Sequence, residues 1–271
     1  MKNFKNMKKY KYNLKTLSPI ILSPRSSKAF YRFLDYEEKD YEYNIIYPFY
    51  QYGEYDTFDA KTINRYIPGS SIKGALTSGL NDERNSLDFF IDDILIGKSN
   101  YLEVISLNKS QYFNLSENSN VIPKIKPFFD GTVGFESLKA GIELEGELRF
   151  AGDISEILNK NSAKDRCQND IIRLEKYKEN IKKPKDYNSN KDSQEAYDTL
   201  ISQISEIKKY IELFCEDNSD IILLGGYKGL VRSLNNSKDL EGAIFATANN
   251  VPFGFVKIVK IEEVNDNEKC I

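Results

Sequence analysis

The sequence contains no histidine, and this absence excludes several classes of site. Without imidazole there is no His-ligated metal, no Ser-His-Asp or Cys-His nucleophile and no imidazole acid–base catalysis near neutral pH. Cysteine is also scarce, because the 271 residues include only Cys167, Cys215 and Cys270. Their odd number and wide spacing predict neither a CxxC metal knuckle nor a disulfide framework, so we expect a reducing, cytoplasmic setting and no cofactor.

Long apolar runs are missing as well. No stretch of 18 apolar residues occurs, and residues 1–14 are basic and aromatic without the apolar centre of a signal peptide. We therefore expect neither export nor a membrane partner. The sequence does contain 40% hydrophobic residues, with 18 Tyr and 16 Phe, which is enough for one sizeable core carrying an insertion.

The formal net charge is only -3, but the charges are segregated along the chain. Residues 1–34 hold nine cations and no Asp or Glu, whereas residues 35–59 hold eight Asp or Glu residues and seven tyrosines. A basic segment of this kind indicates either a solvated tail or a surface for an anionic partner such as nucleic acid. Charge alone leaves both interpretations open.

Hydrophobic periodicity predicts an α+β fold. Residues 10–16 alternate as a strand with one apolar and one cationic face. A helix is predicted from Ser70 or Ser71, as its N-cap, to about Leu80. Further strands are predicted at 102–107, 135–138, 142–150, 221–224 and 253–261, with a hairpin turn at 139–141.

Two long segments lie between these elements. Residues 17–66 form a long connection without a regular pattern, which predicts a functional or partner-bound loop. Residues 155–218 contain no glycine, carry a polar hinge at 182–191, and place Leu200, Ile204, Ile207 and Ile211 at helical spacing. We predict a ferredoxin-like core formed by 1–154 and 219–271, with 155–218 as a helical insertion dispensable for that core.

The sequence YIPGSSIKGAL at 66–76 contains the first candidate site. The free amides at a helix start carry partial positive charge, so Gly69, the hydroxyls of Ser70 and Ser71, and Lys73 together could hold a phosphate. The GxxxxGK[ST] spacing of a Walker loop is absent. An ordinary capped helix would give the same pattern.

The sequence LLGGYKGLVR at 223–232 contains the second candidate site. Its glycines, Gly225, Gly226 and Gly229, would let the backbone approach a ligand, while Tyr227 offers a stacking face. Phosphate charge would be met by Lys228 and Arg232. A plain turn between strands is the alternative, and the missing GxGxxG and Walker spacings exclude a nucleotide-dependent enzyme.

Taken together, these segments resemble the RAMP superfamily of CRISPR proteins. The motif YIPGSSIKGAL follows a strand that leads into TLSPI at 16–20, and the glycine-rich loop at 225–229 lies where the superfamily carries its own. The ending VPFGFVKI at 251–258 resembles a segment near the end of the capping subunit of type III-A (Csm) effector complexes. The resemblance covers about residues 9–80, 134–150 and 221–262.

The resemblance implies an RNA-recognition-motif-like ferredoxin fold that binds the 3′ side of a CRISPR guide RNA and caps a filament of backbone subunits in antiviral defence. The implied partners are guide RNA, other RAMP subunits and the polymerase-like large subunit, with target RNA contacted only indirectly. The candidate RNA-binding residues are Arg25, Lys28, Gly69, Ser70, Ser71, Lys73, Gly225, Gly226, Tyr227, Lys228, Gly229 and Arg232.

Two ribonuclease alternatives remain beside this non-catalytic interpretation. Processing ribonucleases of the superfamily commonly use a catalytic histidine, which this chain lacks. Backbone subunits instead cleave target RNA with an aspartate in the loop before the Pro-Gly-Ser-Ser motif. Four aspartates lie in the corresponding loop: Asp35, Asp40, Asp56 and Asp59.

Overall fold

The computed structural model describes most of the chain, namely residues 7–23, 29–37, 42–53, 58, 64–80, 87–111, 126–127, 131–216, 220–228, 230–232 and 242–264. The elements within these residues are β1 (Lys8–Thr16), β2 (Phe30–Tyr31), β3 (Ile45–Tyr47), β4 (Tyr66–Ile67), α1 (Gly69–Leu76), β5 (Phe89–Ile91), β6 (Ile94–Leu95), a 3-10 helix (Ser99–Tyr101), β7 (Leu102–Ile105), β8 (Asn108–Gln111), β9 (Lys126–Pro127), β10 (Val133–Leu138), β11 (Glu143–Phe150), α2 (Ile154–Asn159), α3 (Ala163–Asn180), α4 (Lys191–Glu216), β12 (Ile221–Leu223), β13 (Leu230–Arg232), β14 (Gly242–Ala246) and β15 (Phe255–Val264).

The central sheet confirms the predicted ferredoxin-like core. Its strand order is β12-β15-β1-β11-β5, and every neighbouring pair is antiparallel. In chain order, β1, α1, β5, β11, the helices α2 to α4 and β15 form a β-α-β-β-α-β arrangement with β1 in the interior of the sheet. The extra strand β12 extends this sheet beyond β15, and α1 packs on one face.

Strand β1 alternates as its sequence predicts. Tyr10, Tyr12 and Leu14 are buried in the core that α1 and α2 cover. On the opposite face Lys9 lies 2.7 Å from the carboxylate of Glu147, and Lys15 lies 3.8 Å from that of Glu143, both on β11. The basic face of β1 is therefore offset by carboxylates of its neighbours and is not a surface of one charge sign.

Every predicted strand overlaps a strand of the structure. The predicted hairpin between residues 135–138 and 142–150 is wrong. Strand β10 pairs with β3 and β7 in a second sheet, whereas β11 pairs with β1 and β5 in the central sheet. The turn does exist, with Gly141 at φ +81°, and it carries the chain from one sheet to the other. Local turn residues therefore determine the change of chain direction at 139–141, whereas packing determines which strands β10 and β11 pair with.

The connection at 17–66 is more regular than expected. Strands β2 and β3 lie within it and join β10 and β7 in the second sheet, whose order is β2-β3-β10-β7. The predicted cap of α1 also needs correction. Pro68 precedes the helix as its N-cap without a side-chain cap bond, so Ser70 and Ser71 lie in the first turn, and the helix ends at Leu76 rather than Leu80.

The helices α2 to α4 occupy the segment predicted as helical, and α3 and α4 are joined by a polar loop. The apolar stripe of α4 is buried, with Ile204 and Ile207 each 1% exposed, in a cluster that includes Ile221, Leu223 and Phe255 of the central sheet. Free thiols of α3 and α4 lie in or against the same cluster. The stripe thus packs against the central sheet, and the predicted dispensability of residues 155–218 stays a prediction.

The described part of the chain offers neither a membrane-spanning helix nor a cluster of metal ligands. No helix there combines the length and the apolar character needed to cross a membrane. Within the same residues, no group of three or more His, Cys, Asp or Glu side chains is arranged to hold a metal ion.

Candidate nucleic-acid interface

Three stretches of backbone from distant parts of the sequence meet beyond the end of β1. We call their meeting point the junction, formed by residues 18–21, 224–228 and 253–255. The N–H of Gly226 donates to the carbonyl of Ile21 at 2.9 Å. The N–H of Gly254 donates to Pro19 at 2.9 Å, and the N–H of Leu224 donates to Gly254 at 2.8 Å. Backbone hydrogen bonds of the junction therefore connect three segments of the sequence resemblance: the end of β1 with TLSPI, the glycine-rich loop, and VPFGFVKI.

Two of the junction glycines are required by its shape. Gly225 has φ +93°, and a Cβ there would lie 2.5 Å from the carbonyl oxygen of Ile21. Gly254 has φ +89°, and its Cβ would lie 2.6 Å from the carbonyl oxygen of Leu224. At Gly226 the nearest atom to an added Cβ is the Ile21 oxygen at 3.9 Å, so a side chain has room. Substitution of Gly225 or Gly254 therefore tests the backbone shape of the junction, whereas substitution of Gly226 tests the approach of a ligand.

Tyr227 is half-buried within the aromatic wall of the junction. Its backbone has φ +56°, and its ring meets Phe135 at 5.5 Å and Phe245 at 5.0 Å between centroids, both edge to face. Burial raises the pKa of its hydroxyl. These contacts hold the ring in place, and its predicted stacking on an RNA base stays a prediction.

Lys228 is a half-buried cation beside a second cation. Its Nζ donates to the carbonyl of Leu223 at 3.0 Å, and Nη2 of Arg166 donates to the carbonyl of Lys228 at 3.0 Å. Burial, and to a smaller extent the Arg166 guanidinium, lower the pKa of the Lys228 amine from 10.5 to about 8. A neighbouring anion would relieve both effects, because it would favour the charged form of the amine.

A cleft of about 580 Å³ opens between the junction and the first turns of α3. Its volume lies within the range of roughly 300 to 1,000 Å³ that is usual for ligand sites. The lining residues are Ser162, Asp165, Arg166, Asn169, Asp170, Arg173, Gly225, Gly226, Tyr227 and Lys228. Four candidate residues of the glycine-rich loop thus line one common cleft.

The start of α1 is arranged differently. The N–H of Gly69 donates to Oδ1 of Asp93 at 2.7 Å, and the hydroxyl of Tyr52 donates to Oδ2 at 2.8 Å. The hydrogen bond to Asp93 is the main reason why the pKa of Tyr52 is raised to about 12. The Tyr52 ring stacks on Tyr66 with centroids 4.1 Å apart. A carboxylate of the protein therefore satisfies the helix start where a phosphate was expected.

Lys73 is also directed at protein atoms. Its Nζ donates to the carbonyl of Phe89 at 2.6 Å and lies 5.8 Å from the centroid of that ring. Gly69 packs so closely on β5 that an added Cβ would collide with the carbonyl of Ile91. The glycine and the lysine of the motif thus fix α1 against β5. Phosphate binding by Lys73, predicted from the sequence, is untested and would require its amine to leave Phe89, where we expect it to stay.

A buried ion pair anchors the chain just before α1. Arg65 and Glu136 are each 1% exposed, with Nη2 of the arginine 3.1 Å from Oε1 of the carboxylate. The N–H of Phe49 donates to Oε2 of Glu136 at 2.8 Å. This pair connects the segment before α1 to β10 of the second sheet. Sequence reasoning missed it, because the two charges are distant in the chain.

Among the described residues, no other predicted site residue lines this cleft. Arg25, Lys28 and Gly229 lie outside the described part of the chain. Arg232 ends β13, which pairs with β14, and only its backbone is described. Sequence reasoning also missed Arg166 and Arg173, although their seven-residue spacing places them on one face of a predicted helix.

The aspartates of the ribonuclease alternative divide in the same way. Asp40, Asp56 and Asp59 lie outside the described residues. Asp35 accepts a hydrogen bond from the N–H of Tyr31 at 2.7 Å, which closes a turn after β2. That bond gives Asp35 a structural role and leaves the assignment of a cleaving aspartate open.

Comparisons with known proteins give similarities of structure only, because no protein-family model and no curated protein matches the sequence. A chain of a Csm–crRNA–target RNA ternary complex from a type III-A CRISPR–Cas system aligns over 92% of this chain and 100% of its own, at 12% identity and TM-score 0.43. Csm5 of T. onnurineus aligns over 91% and 100%, at 11% identity and TM-score 0.34. A chain of a type III-B Cmr-beta complex bound to cognate target RNA aligns over 58% and 51%, at 12% identity and TM-score 0.32.

Proposed function

We propose that this chain is a non-catalytic RNA-binding subunit of a type III CRISPR effector complex and that it caps the 3′ side of the guide RNA. The observation that carries the proposal is the junction. The TLSPI, LGGYKG and VPFGFVKI segments, which resemble parts of RAMP proteins, are distant in sequence but share backbone hydrogen bonds there. Their convergence is what a common binding surface requires, and it supports treating the three resemblances as one.

The chemistry of the junction suits an RNA backbone. Gly226 leaves room for close approach, Tyr227 provides an aromatic ring, and Lys228 provides a cation whose charged form an anion would stabilise. The cation and the exposed backbone suit phosphate and sugar, and the ring suits the face of any base, so none of these groups distinguishes base edges. We therefore propose binding that is independent of guide sequence, as a subunit serving many guides needs.

The non-catalytic part of the proposal rests on residue chemistry. The sequence offers no imidazole as a general acid or base, and Asp35 accepts a hydrogen bond from the N–H of Tyr31 in a turn. Cleavage by one of the other loop aspartates is the alternative. To test it, the complex is assembled with complementary target RNA while Asp35, Asp40, Asp56 and Asp59 are changed singly to Asn. Loss of one discrete cut with binding intact would identify a catalytic residue and overturn this part.

Recovery of RNA with the chain tests the binding role. The tagged chain is expressed with its genomic neighbours, and the co-purified RNA is sequenced at both ends. We expect a discrete short RNA whose 5′ end is constant, and we expect Gly226→Val to alter its 3′ ends because the side chain obstructs the approach to the loop. The control is Gly97→Ala, since an added Cβ at that glycine meets no atom within 4 Å.

The outcome separates capping from simple membership of a complex. Altered 3′ ends with a constant 5′ end support the capping position. Unchanged ends in a folded Gly226→Val complex contradict it, and absence of any discrete RNA from the wild-type preparation contradicts RNA binding itself.

A further inference from the structure

We infer that α3 supplies the second wall of the RNA site, with Arg166 and Arg173 binding a backbone phosphate across the cleft from the glycine-rich loop. This inference rests on the proposed function and deepens it. It assigns binding residues to a segment that lies outside the sequence resemblance. The ligand it names is a phosphodiester of single-stranded RNA.

The geometry of α3 is the first argument. The residues that α3 and its N-cap contribute to the cleft form one helical stripe, with spacings of three and four along the chain: Ser162, Asp165, Arg166, Asn169, Asp170 and Arg173. This stripe faces Gly225 to Lys228 across about 580 Å³. Because α4 and the central sheet bury the apolar side of α3, the stripe is held at a fixed position relative to the loop.

The charges of the cleft are the second argument. Three cations, Arg166, Arg173 and Lys228, line it together with two carboxylates, Asp165 and Asp170. Arg173 lies 3.9 Å from Asp170, whereas Arg166 donates to a carbonyl and stands beside Lys228, a cation like itself. Two adjacent cations in a confined cleft repel each other, and a phosphate between them attracts both and offsets that repulsion.

The polar groups around these cations fit the rest of a nucleotide. Ser162 and Asn169 lie on the same stripe and can donate to ribose or phosphate oxygens, and Tyr227 lies on the opposite wall. The other surfaces considered for RNA are less suitable. The open face of β1 is offset by glutamates, and the start of α1 holds the carboxylate of Asp93.

Salt-dependent binding of RNA by the full chain tests the inference. The probe is a labelled single-stranded RNA of the length recovered with wild-type protein, and the slope of log affinity against log salt counts the phosphate contacts. We expect Arg173→Gln to weaken binding about threefold to tenfold and to reduce the slope by about 0.7, the value for one contact on a single strand. Lys164→Gln is the matched control, since Lys164 is exposed on α3 and does not line the cleft.

A second variant gives the opposite sign. Asp165→Asn removes a carboxylate from the cleft and is expected to tighten binding by a similar factor, which a purely structural defect would not do. Arg166→Lys retains the charge but loses the forked donor, so it should bind more weakly than wild type with an unchanged slope.

Each result has a definite meaning. If wild type binds RNA while Arg173→Gln and Asp165→Asn both match Lys164→Gln in affinity and slope, the α3 wall is not part of the site and only this inference fails. If wild type binds no RNA, alone or in the complex, the proposed function fails as well.

Discussion

The start of α1 and the glycine-rich loop after β12 have similar residues, but the fold uses them differently. In the first, Gly69 donates to Asp93 and Lys73 donates to Phe89, so two of its four candidate anion-binding residues already contact the protein itself. In the second, the Lys228 amine also donates to a backbone carbonyl, that of Leu223, but Gly226 and Lys228 line a cleft shared with α3. Similar sequences thus give a structural helix start in one place and a candidate binding site in the other.

The largest expected effect of a substitution is at the buried ion pair of Arg65 and Glu136, which holds the segment just before α1. Arg65→Met should lower the free energy of unfolding by about 3 to 5 kcal/mol, because it leaves the Glu136 carboxylate buried without its partner. Urea unfolding measures the change. The double variant Arg65→Met with Glu136→Met should recover much of the loss, since it removes both buried charges. Equal stability of the single and double variants would contradict the role of the pair.

The second region should be sensitive to shape at one glycine and tolerant at the next. Gly225→Ala combines a positive φ with a Cβ 2.5 Å from the Ile21 oxygen, so we expect a loss of about 2 to 4 kcal/mol in unfolding free energy. Gly226→Ala is the control, and its expected change is below about 1 kcal/mol. Comparable losses at both positions would show that the difference between the two glycines is not real.

Replacing one lysine in each region sharpens the comparison further. Lys73→Met should cost about 1 kcal/mol of stability through the lost bond to Phe89 and leave the salt dependence of RNA binding unchanged. Lys228→Met should reduce the salt slope by about 0.7. Titration of labelled RNA at several salt concentrations gives both slopes. A reduced slope for Lys73→Met alone would transfer the phosphate site to α1.

The smallest expected effect is a dependence on pH. Lys228 has a pKa near 8 in the folded protein, and Arg166, Arg173, Asp165 and Asp170 are the charged groups that line its cleft. A bound phosphate raises this pKa, so RNA binding should take up protons above pH 8, and RNA affinity should fall between about pH 7 and 9. Calorimetry in buffers of different ionisation enthalpy measures the uptake.

The same group makes stability change in the opposite direction. Because the unfolded chain holds the Lys228 proton up to pH 10.5 while the folded chain releases it near 8, the lysine's destabilising effect is complete below pH 8. The free energy of unfolding should therefore rise between about pH 8 and 10.5. Lys228→Met is expected to remove both effects. Their persistence in that variant would assign them to another group.

Local patterns predicted the longer elements of the fold and missed most of the short strands, including β5 of the central sheet. The alternation of Tyr10, Tyr12 and Leu14 predicted β1, and the apolar stripe of α4 predicted a helix. The partners of these elements were harder to predict, because pairing depends on distant residues. The carboxylate that accepts a hydrogen bond from the first N–H of α1 belongs to Asp93, and no local pattern predicts such a contact.

The candidate site was predicted in part for the same reason. Glycines and cations predicted the loop at 225–228, because its candidate residues are contiguous in the sequence. The cleft itself depends on α3, which the sequence pattern assigns to an insertion outside the predicted core, so sequence alone does not identify Arg166 and Arg173 as site residues. A helical spacing of seven between two arginines was present in the sequence, but only packing shows that this face meets the loop.

Photo-crosslinking of RNA in the assembled complex tests most directly whether RNA lies in the cleft. The complex is irradiated with its native guide RNA, digested, and analysed by mass spectrometry to identify the peptides that carry nucleotides. We predict crosslinks in peptides containing Tyr227 and in peptides from the first turns of α3, at the 3′ side of the guide. Crosslinks confined to α1 and residues 66–80, with none at the junction or α3, would contradict the account.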